Sequence, residues 1–149
     1  MKKSEYSKSK TLEFIDEIEF FENFSQYEKK RVIGAGGCIL DFSPGATIIA
    51  EGEKDNSFYV IHSGSVVIKK RNIQFNQATK GDIFGEMAFL SNTVRSTSVI
   101  AKENVVVFNI NKKSMGRLNC EVREKIKDHC INILVKLVNK LTERLRIRM

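Results

Sequence analysis

Short apolar runs separated by turn residues fill the chain from residue 38 to residue 110, and they restrict the fold more than any other feature. The spaces between the runs hold turn-forming residues such as Pro44-Gly45, Gly52, Gly64 and Gly81. The runs are Ile39-Leu40, Ile48-Ile49, Phe58 to Ile61, Val66 to Ile68, Ile83-Phe84, Val99-Ile100 and Val105 to Ile110. The distances between successive turn residues are too short for helices. The pattern therefore predicts many short strands in an antiparallel sandwich or roll.

Helical patterns flank this strand-rich region. Residues 1–37 form a predicted N-terminal helical segment, in which Leu12, Ile15 and Ile18 lie at helical spacing. Ser25 and Glu28 have the spacing of a capping box, which predicts the start of a second helix.

Residues 111–149 are predicted to contain a short helix that opens at Asn111 and one long helix over 121–147. The long helix is apolar nearly all round in its middle, whereas a helix lying on a surface needs only one apolar face. It should therefore contact its own roll and either a ligand or a second subunit. Its apolar stripes are too wide for a strict coiled-coil seam.

Charge and cysteine content narrow the function classes. The chain has 149 residues and a formal charge of +7, and the whole excess lies in residues 112–149, with eleven basic and four acidic residues. We interpret this basic tail as a solvated helix surface, with nucleic-acid binding as a less favoured alternative. The three cysteines show no C-x-x-C pair, which favours thiols in a reducing cytoplasm. No apolar run is long enough to span a bilayer.

The candidate ligand-binding residues lie in residues 84–99, with the sequence FGEMAFLSNTVRSTSV. Gly85 lets a backbone N–H approach an anion, because it has no Cβ. Glu86 can accept hydrogen bonds from a sugar hydroxyl. Arg95 supplies a planar fork that matches a phosphate and stays charged. Together these residues indicate a site for one phosphate and one ribose.

This stretch resembles the phosphate-binding cassette of the cyclic nucleotide-binding domain family. The family pattern reads F-G-E-[LM]-A, a short variable turn, and then R-[AST]-x-[ST]-V. Here it is met by residues 84–88 and by Arg95, Ser96, Ser98 and Val99, with Thr97 at a position where alanine is common. The resemblance covers about residues 12–140.

The resemblance implies a single domain over residues 1–149, with a mixed α+β but mainly β fold. It would be an antiparallel β-roll (a double-stranded β-helix, jelly-roll-like) over 38–110, with N-terminal helices over 1–37 and C-terminal hinge and lid helices over 111–149. It implies a regulatory module that binds cAMP or cGMP, with a slight preference for cAMP, and that signals when its C-terminal helix covers the base. The base would pack near Phe75 to Ala78, beneath a lid from about Ile131 to Lys140. The expected ligand-binding residues are Gly85, Glu86, Met87, Ala88, Arg95, Ser96 and Thr97.

Several expectations accompany this assignment. We expect no enzymatic activity, no metal and no cofactor other than the nucleotide ligand, because no catalytic motif or metal-ligand spacing appears. The chain stops after one long helix without a helix-turn-helix module, so its output should pass to an unknown effector protein or, through the C-terminal helix, to a second copy in a homodimer. The alternative is a degenerate interaction or dimerisation module that keeps the fold without binding a nucleotide. A nucleic-acid partner ranks third.

Overall fold

The computed structural model describes the backbone of residues 2–3, 6–55 and 57–148, and the side chains of residues 6–55, 57–87 and 89–146. The helices are α1 (Lys8–Asp16), α2 (Gln26–Gly34), α3 (Glu86–Ser91), α4 (Lys112–Gly116) and α5 (Cys120–Arg148), with a 3-10 turn at Glu19–Phe21. The strands are β1 (Lys2–Lys3), β2 (Cys38–Phe42), β3 (Thr47–Ile49), β4 (Ser57–Ser63), β5 (Ser65–Lys70), β6 (Ile73–Thr79), β7 (Ile83–Phe84), β8 (Ser98–Ala101) and β9 (Val105–Asn111).

The strands form two antiparallel sheets, which confirms the predicted fold class. One sheet has the order β1-β2-β9-β4-β7 and the other has the order β3-β8-β5-β6. Strands that are distant in sequence pair within each sheet, as β2 does with β9, and this non-local pairing is typical of a roll. Because β7 pairs with β4, the segment that follows β7 lies against β4 and the loop before it.

The five-stranded sheet packs on both faces, with the main cluster between the two sheets and a group of aromatic rings against its other face. Thirteen buried residues form the main cluster: Leu40, Phe42, Ile48, Ile49, Tyr59, Ile61, Val66, Ala78, Phe84, Val99, Ala101, Val105 and Val107. A second group of rings links the 3-10 turn to the sheet, and the ring of Phe21 meets that of Phe108 edge-on at a centroid distance of 5.4 Å. This packing fixes the strands that carry the cassette.

The N-terminal helices form where local signals predict them. The Ser25 hydroxyl accepts from the Glu28 backbone N–H, and the Glu28 carboxylate accepts from the Ser25 N–H, which confirms the capping box. The two helices are joined by the Lys29 ammonium, which donates to Asp16 at 2.8 Å. Lys29 is buried, and its hydrogen bond lowers the pKa of Asp16.

The chain divides into two compact units, residues 1–118 and residues 119–149. In the second unit, the Asn119 side chain accepts from the Val122 N–H and caps α5. In the first, Asn111 caps α4 by accepting from the Ser114 N–H, as predicted. Among the described residues, no helix has both the length and the apolarity of a bilayer span. The assignment of one domain to residues 1–149 stays a prediction.

Candidate phosphate-binding site

The cassette begins at a position that suits only glycine. Gly85 has φ +81°, and a Cβ at this position would lie 2.9 Å from the Arg95 Nη1 and 3.1 Å from the Ser57 carbonyl oxygen. The preceding ring, Phe84, stacks on Tyr59 at a centroid distance of 4.8 Å. The strand end and the arginine are thus packed directly against each other.

Helix α3 follows the glycine and is anchored by one aromatic residue. The Phe89 N–H donates to the Gly85 carbonyl at 3.3 Å, and the buried Phe89 ring meets Phe58 on β4 at 4.8 Å. The Lys112 ammonium lies 6.0 Å from the centroid of the same ring. The position of α3 is therefore set by packing rather than by the intrinsic stability of a six-residue helix.

The Arg95 side chain points into the protein. It is 4% exposed, its Nη1 donates to the Gly85 carbonyl at 2.6 Å, and its Nη2 donates to the Ser57 carbonyl. Its Nε is buried and has no hydrogen-bond partner among the described residues. Buried polar groups are nearly always satisfied, so an orphaned guanidinium N–H indicates a place for a further acceptor.

An aspartate in the loop before β4 accompanies this arginine. The Asp55 Oδ2 lies 3.3 Å from the Arg95 Nη2, and Asp55 is held by the Ser57 N–H, which donates to its Oδ1 at 3.1 Å. The backbones of the two segments also pair, because the Arg95 N–H donates to the Glu53 carbonyl and the Gly52 N–H donates to the Arg95 carbonyl, both at 2.8 Å. The loop and the end of the cassette are therefore fixed to each other.

The Tyr59 hydroxyl extends this network. It lies 3.4 Å from the Asp55 Oδ2, and burial together with the negative charge of Asp55 raises the pKa of Tyr59. The phenol therefore stays protonated and acts as a donor to the carboxylate. Asp55 is thus an anion held on three sides, by an arginine, a backbone N–H and a phenol.

Glu86 is partly buried beside this network. Burial raises the pKa of its carboxyl, while a hydrogen bond from its own backbone N–H and the charge of Arg95 act in the opposite direction. A partly desolvated carboxylate gains more from a hydrogen-bond donor than an exposed one does. Glu86 is suited to accept a hydrogen bond from a hydroxyl of a bound ligand.

The other predicted site residues differ in exposure. Met87 is 61% exposed, Ser96 is exposed and Thr97 is half-buried, whereas the side chain of Ala88 lies outside the described residues. The structure therefore brings Gly85, Glu86 and Arg95 together and leaves Met87 and Ser96 at the surface. Their roles as ligand contacts stay predictions.

The predicted base wall is divided between surface and core. On β6, Phe75 is 59% exposed and Asn76 is exposed, whereas Ala78 is in the core.

The sequence analysis did not place Asp55, Ser57 and Tyr59 in the site. The local signal at Asp55 is the hydrogen bond that it accepts from a backbone N–H two residues further on, which is typical of Asp in turns.

Comparison with known proteins identifies the family. Residues 39–119 match the family model described as "Cyclic nucleotide-binding domain". The chain is 35% identical over 105 residues to a cAMP-dependent protein kinase regulatory subunit from Hypocrea atroviridis, and the match covers 70% of this chain and 22% of that protein. It is 30% identical over 106 residues to a cGMP-dependent protein kinase from Eimeria tenella, and that match covers 71% of this chain and 10% of that protein.

A solved structure described as Sp-2Cl-cAMPS bound to PKAR CBD2 is also similar. It superposes with a TM-score of 0.69 at 25% identity, and the superposition covers 94% of both chains. The chain spans less than a quarter of the length of the two curated relatives above. Similarity thus extends over the roll and the cassette, while most of each curated relative lies outside the match.

Proposed function

Because the chain belongs to the cyclic nucleotide-binding domain family, we propose that it binds cAMP or cGMP at the cassette and acts as a regulatory module rather than as an enzyme. The relatives that match it include a cAMP-dependent regulatory subunit and a cGMP-dependent kinase, and this leaves both bases open. The nucleotide is a ligand, and the proposal requires no metal or other cofactor. The described part of the chain holds no cluster of metal-binding side chains.

One observation carries this proposal: the buried Arg95 faces an anion, Asp55, and still has an unsatisfied Nε. A ligand phosphate offers several acceptor oxygens in a geometry that matches the guanidinium fork, so it can replace the Asp55 carboxylate and also satisfy the Nε. Because Gly85 has no Cβ, the Arg95 guanidinium lies directly against this backbone, so a phosphate bound to the guanidinium would lie beside the same segment.

Glu86 supplies the second half of recognition. Its carboxylate would accept a hydrogen bond from the ribose 2′-hydroxyl, and this contact would replace the water that burial has partly removed. A ligand without that hydroxyl would leave the carboxylate unpaired, so the site should reject 2′-deoxy analogues.

Calorimetric titration of the intact chain tests the function. We expect cAMP or cGMP to bind and 5′-AMP to bind far more weakly because it lacks the cyclic phosphate. We expect 2′-deoxy-cAMP to bind about tenfold to more than 100-fold more weakly than cAMP, since a hydrogen bond to a charged group contributes about 1.5–3 kcal/mol. No heat from either cyclic nucleotide at millimolar concentration would contradict the proposal and favour the non-binding module of the same fold.

We also propose that α5 transmits the signal, either to an unidentified effector protein or to a second copy of the chain. Val122, Ile126 and Cys130 are buried, but the large apolar side chains beyond them are exposed. These exposed residues are Ile131, Val135, Leu137, Val138, Leu141 and Leu145.

A homodimer is favoured by the order of the apolar residues on α5. Ile131, Leu134, Val138, Leu141 and Leu145 are separated by steps of three and four. The β-branched Ile131 and Val138 alternate with leucines, and this alternation favours a parallel coiled coil of two helices. Val135 and Leu137 are also exposed and lie outside this seam, so the apolar surface of α5 is wider than the seam itself.

We assign the chain to the cytoplasm. Its three cysteines are thiols and include no C-x-x-C pair, which suits a reducing compartment.

Sedimentation tests the dimer. We expect the intact chain to dimerise with rising concentration, and Val138→Gln to weaken dimerisation about tenfold, because a polar residue replaces an apolar one in the seam. Lys136→Gln lies on the opposite face of α5 and is the control. A monomer at every protein concentration tested, with and without cyclic nucleotide, would overturn this part of the proposal.

A further inference from the structure

The hairpin of β5 and β6 is basic at its tip and exposes two large apolar side chains. Residues 65–80 contain Lys69, Lys70, Arg71 and Lys80 and no acidic residue. Residues 1–111 as a whole hold fourteen basic and fourteen acidic residues, so the rest of that region is net acidic by four charges. The hairpin therefore carries a net charge of +4 within a region that is otherwise net acidic, and the Glu51 carboxylate accepts from the Arg71 N–H at its tip at 3.0 Å.

The backbone of the tip holds these side chains outward. Arg71 and Asn72 have φ +52° and +63°, and Lys70 pairs with Ile73, which defines a two-residue turn of type I′. The register shift between Ile68 and Lys69 leaves Phe75 as the extra residue of a β-bulge. The strand is thus bent directly behind the tip.

Exposure of apolar surface at the tip is large. Ile73 is 70% exposed and Phe75 is 59% exposed. Together with Lys70 and Arg71 they line a shallow, open depression of the surface. Ile73 and Phe75 thus place exposed apolar surface directly beside adjacent cations, and contiguous apolar surface rimmed by polar groups is typical of interaction sites.

Addition of a partner strand to β6 does not fit this surface, although β6 is an edge strand of its sheet. The Gln77 N–H donates to the Asn76 side chain, and the Thr79 N–H donates to the Asp82 carboxylate at 2.9 Å. These side chains occupy backbone donors that an added strand would need. The tip, with its side chains, is what remains available for contact.

We propose that this hairpin tip, Lys69 to Phe75, docks on an anionic lipid surface. Lys70 and Arg71 would approach the acidic headgroups, with Lys69 adding to the field, while Ile73 and Phe75 would enter the boundary between headgroups and acyl chains. Basic side chains near an anionic leaflet and apolar side chains inserted beside them reinforce each other. The aliphatic Ile73 favours a lipid over a nucleic acid, because bases stack on aromatic rings and gain less from a branched alkyl group.

Vesicle sedimentation of the intact chain measures the binding. We expect the chain to bind phosphatidylcholine vesicles containing about 30% phosphatidylserine at about 50 mM salt and to bind pure phosphatidylcholine vesicles far less. Each basic side chain near an anionic surface is worth about a fivefold change in partitioning. Lys70→Gln with Arg71→Asn should therefore reduce binding about 25-fold, and asparagine tolerates the left-handed backbone at position 71.

The matched control variant is Lys30→Gln with Lys102→Gln, which removes two exposed cations elsewhere in the same unit. If the tip variant and the control variant reduce vesicle binding equally, or if neither does, the proposal is overturned, because the binding then comes from general charge or from the basic α5. A tip variant that loses binding to single-stranded RNA while it keeps vesicle binding also overturns it.

Insertion has a separate readout, because the chain contains no tryptophan. Phe75→Trp places a single fluorophore at the tip, and Tyr27→Trp places one on α2 at another exposed aromatic position, 63% exposed. We expect brominated acyl chains in phosphatidylserine-containing vesicles to quench the indole of the Phe75→Trp protein and to leave that of the Tyr27→Trp protein unquenched. Equal quenching of the two variants, or none in the tip variant, would contradict insertion of the tip.

Discussion

Arg95→Ala is expected to lower the affinity for the cyclic nucleotide by about tenfold to more than 100-fold, and it should be the most damaging single change in the site. In the proposed site the guanidinium is the charge partner of the phosphate, and a hydrogen bond to a charged group contributes about 1.5–3 kcal/mol. The measurement is calorimetric titration with the nucleotide that the intact chain binds.

The same change should also lower the free energy of unfolding, by about 3 kcal/mol. Arg95 is buried and donates to the Gly85 and Ser57 carbonyls, so its removal leaves buried acceptors and Asp55 without their partner. Titration should therefore be made at a temperature at which circular dichroism shows the variant to be folded. Arg31→Ala, at an exposed arginine on α2, is the control. An Arg95→Ala protein that is folded and binds with unchanged affinity would contradict the site assignment.

Asp55→Asn is expected to raise the affinity for the nucleotide about fivefold. The Asp55 carboxylate contacts the guanidinium that the phosphate must reach, and an ion pair with one partly exposed partner contributes up to about 1 kcal/mol. Asparagine can keep the hydrogen bond from the Ser57 N–H, so the turn should survive. Titration of the variant and of the unchanged chain under identical salt gives the ratio of affinities.

Glu53→Gln provides the matched control for this competition. It removes the same charge from the same loop, but the contact of Glu53 with Arg95 is through its backbone carbonyl. If both variants raise the affinity equally, the cause is the general repulsion between the negative charge of the loop and the phosphate, rather than displacement of Asp55 from Arg95. A weaker affinity in Asp55→Asn would mean that Asp55 holds Arg95 in the binding position, and competition would be wrong.

The sequence predicted those parts of the fold that local signals determine. The apolar runs became strands, the capping box at Ser25 and Glu28 formed, and Asn111 opened α4. Each of these depends on residues within a few positions of one another. By contrast, β1 consists of Lys2–Lys3 alone, and two residues are too few to show an alternating pattern before they pair with β2.

The sequence motif indicated which residue types the candidate site contains, but it did not indicate how those residues contact one another. The motif named Gly85, Glu86 and Arg95 as candidate ligand contacts, but it gave no sign that Arg95 turns inward towards Asp55, forty positions earlier. That contact exists only because the backbones at Gly52, Glu53 and Arg95 pair after folding. Likewise, the pattern of α5 could not separate its buried apolar residues from its exposed ones.

The packing of Gly85 against Arg95 affects how the cassette would change in descendants of this protein. Both residues hold the loop in shape, so a lineage that lost its messenger would still be selected to keep them for stability. Glu86 differs, because its partly desolvated charge destabilises the protein at pH values above its raised pKa, and protonation relieves this cost below that pKa. Glutamate at that position, more than the glycine or the arginine, is therefore the residue whose retention indicates a working site.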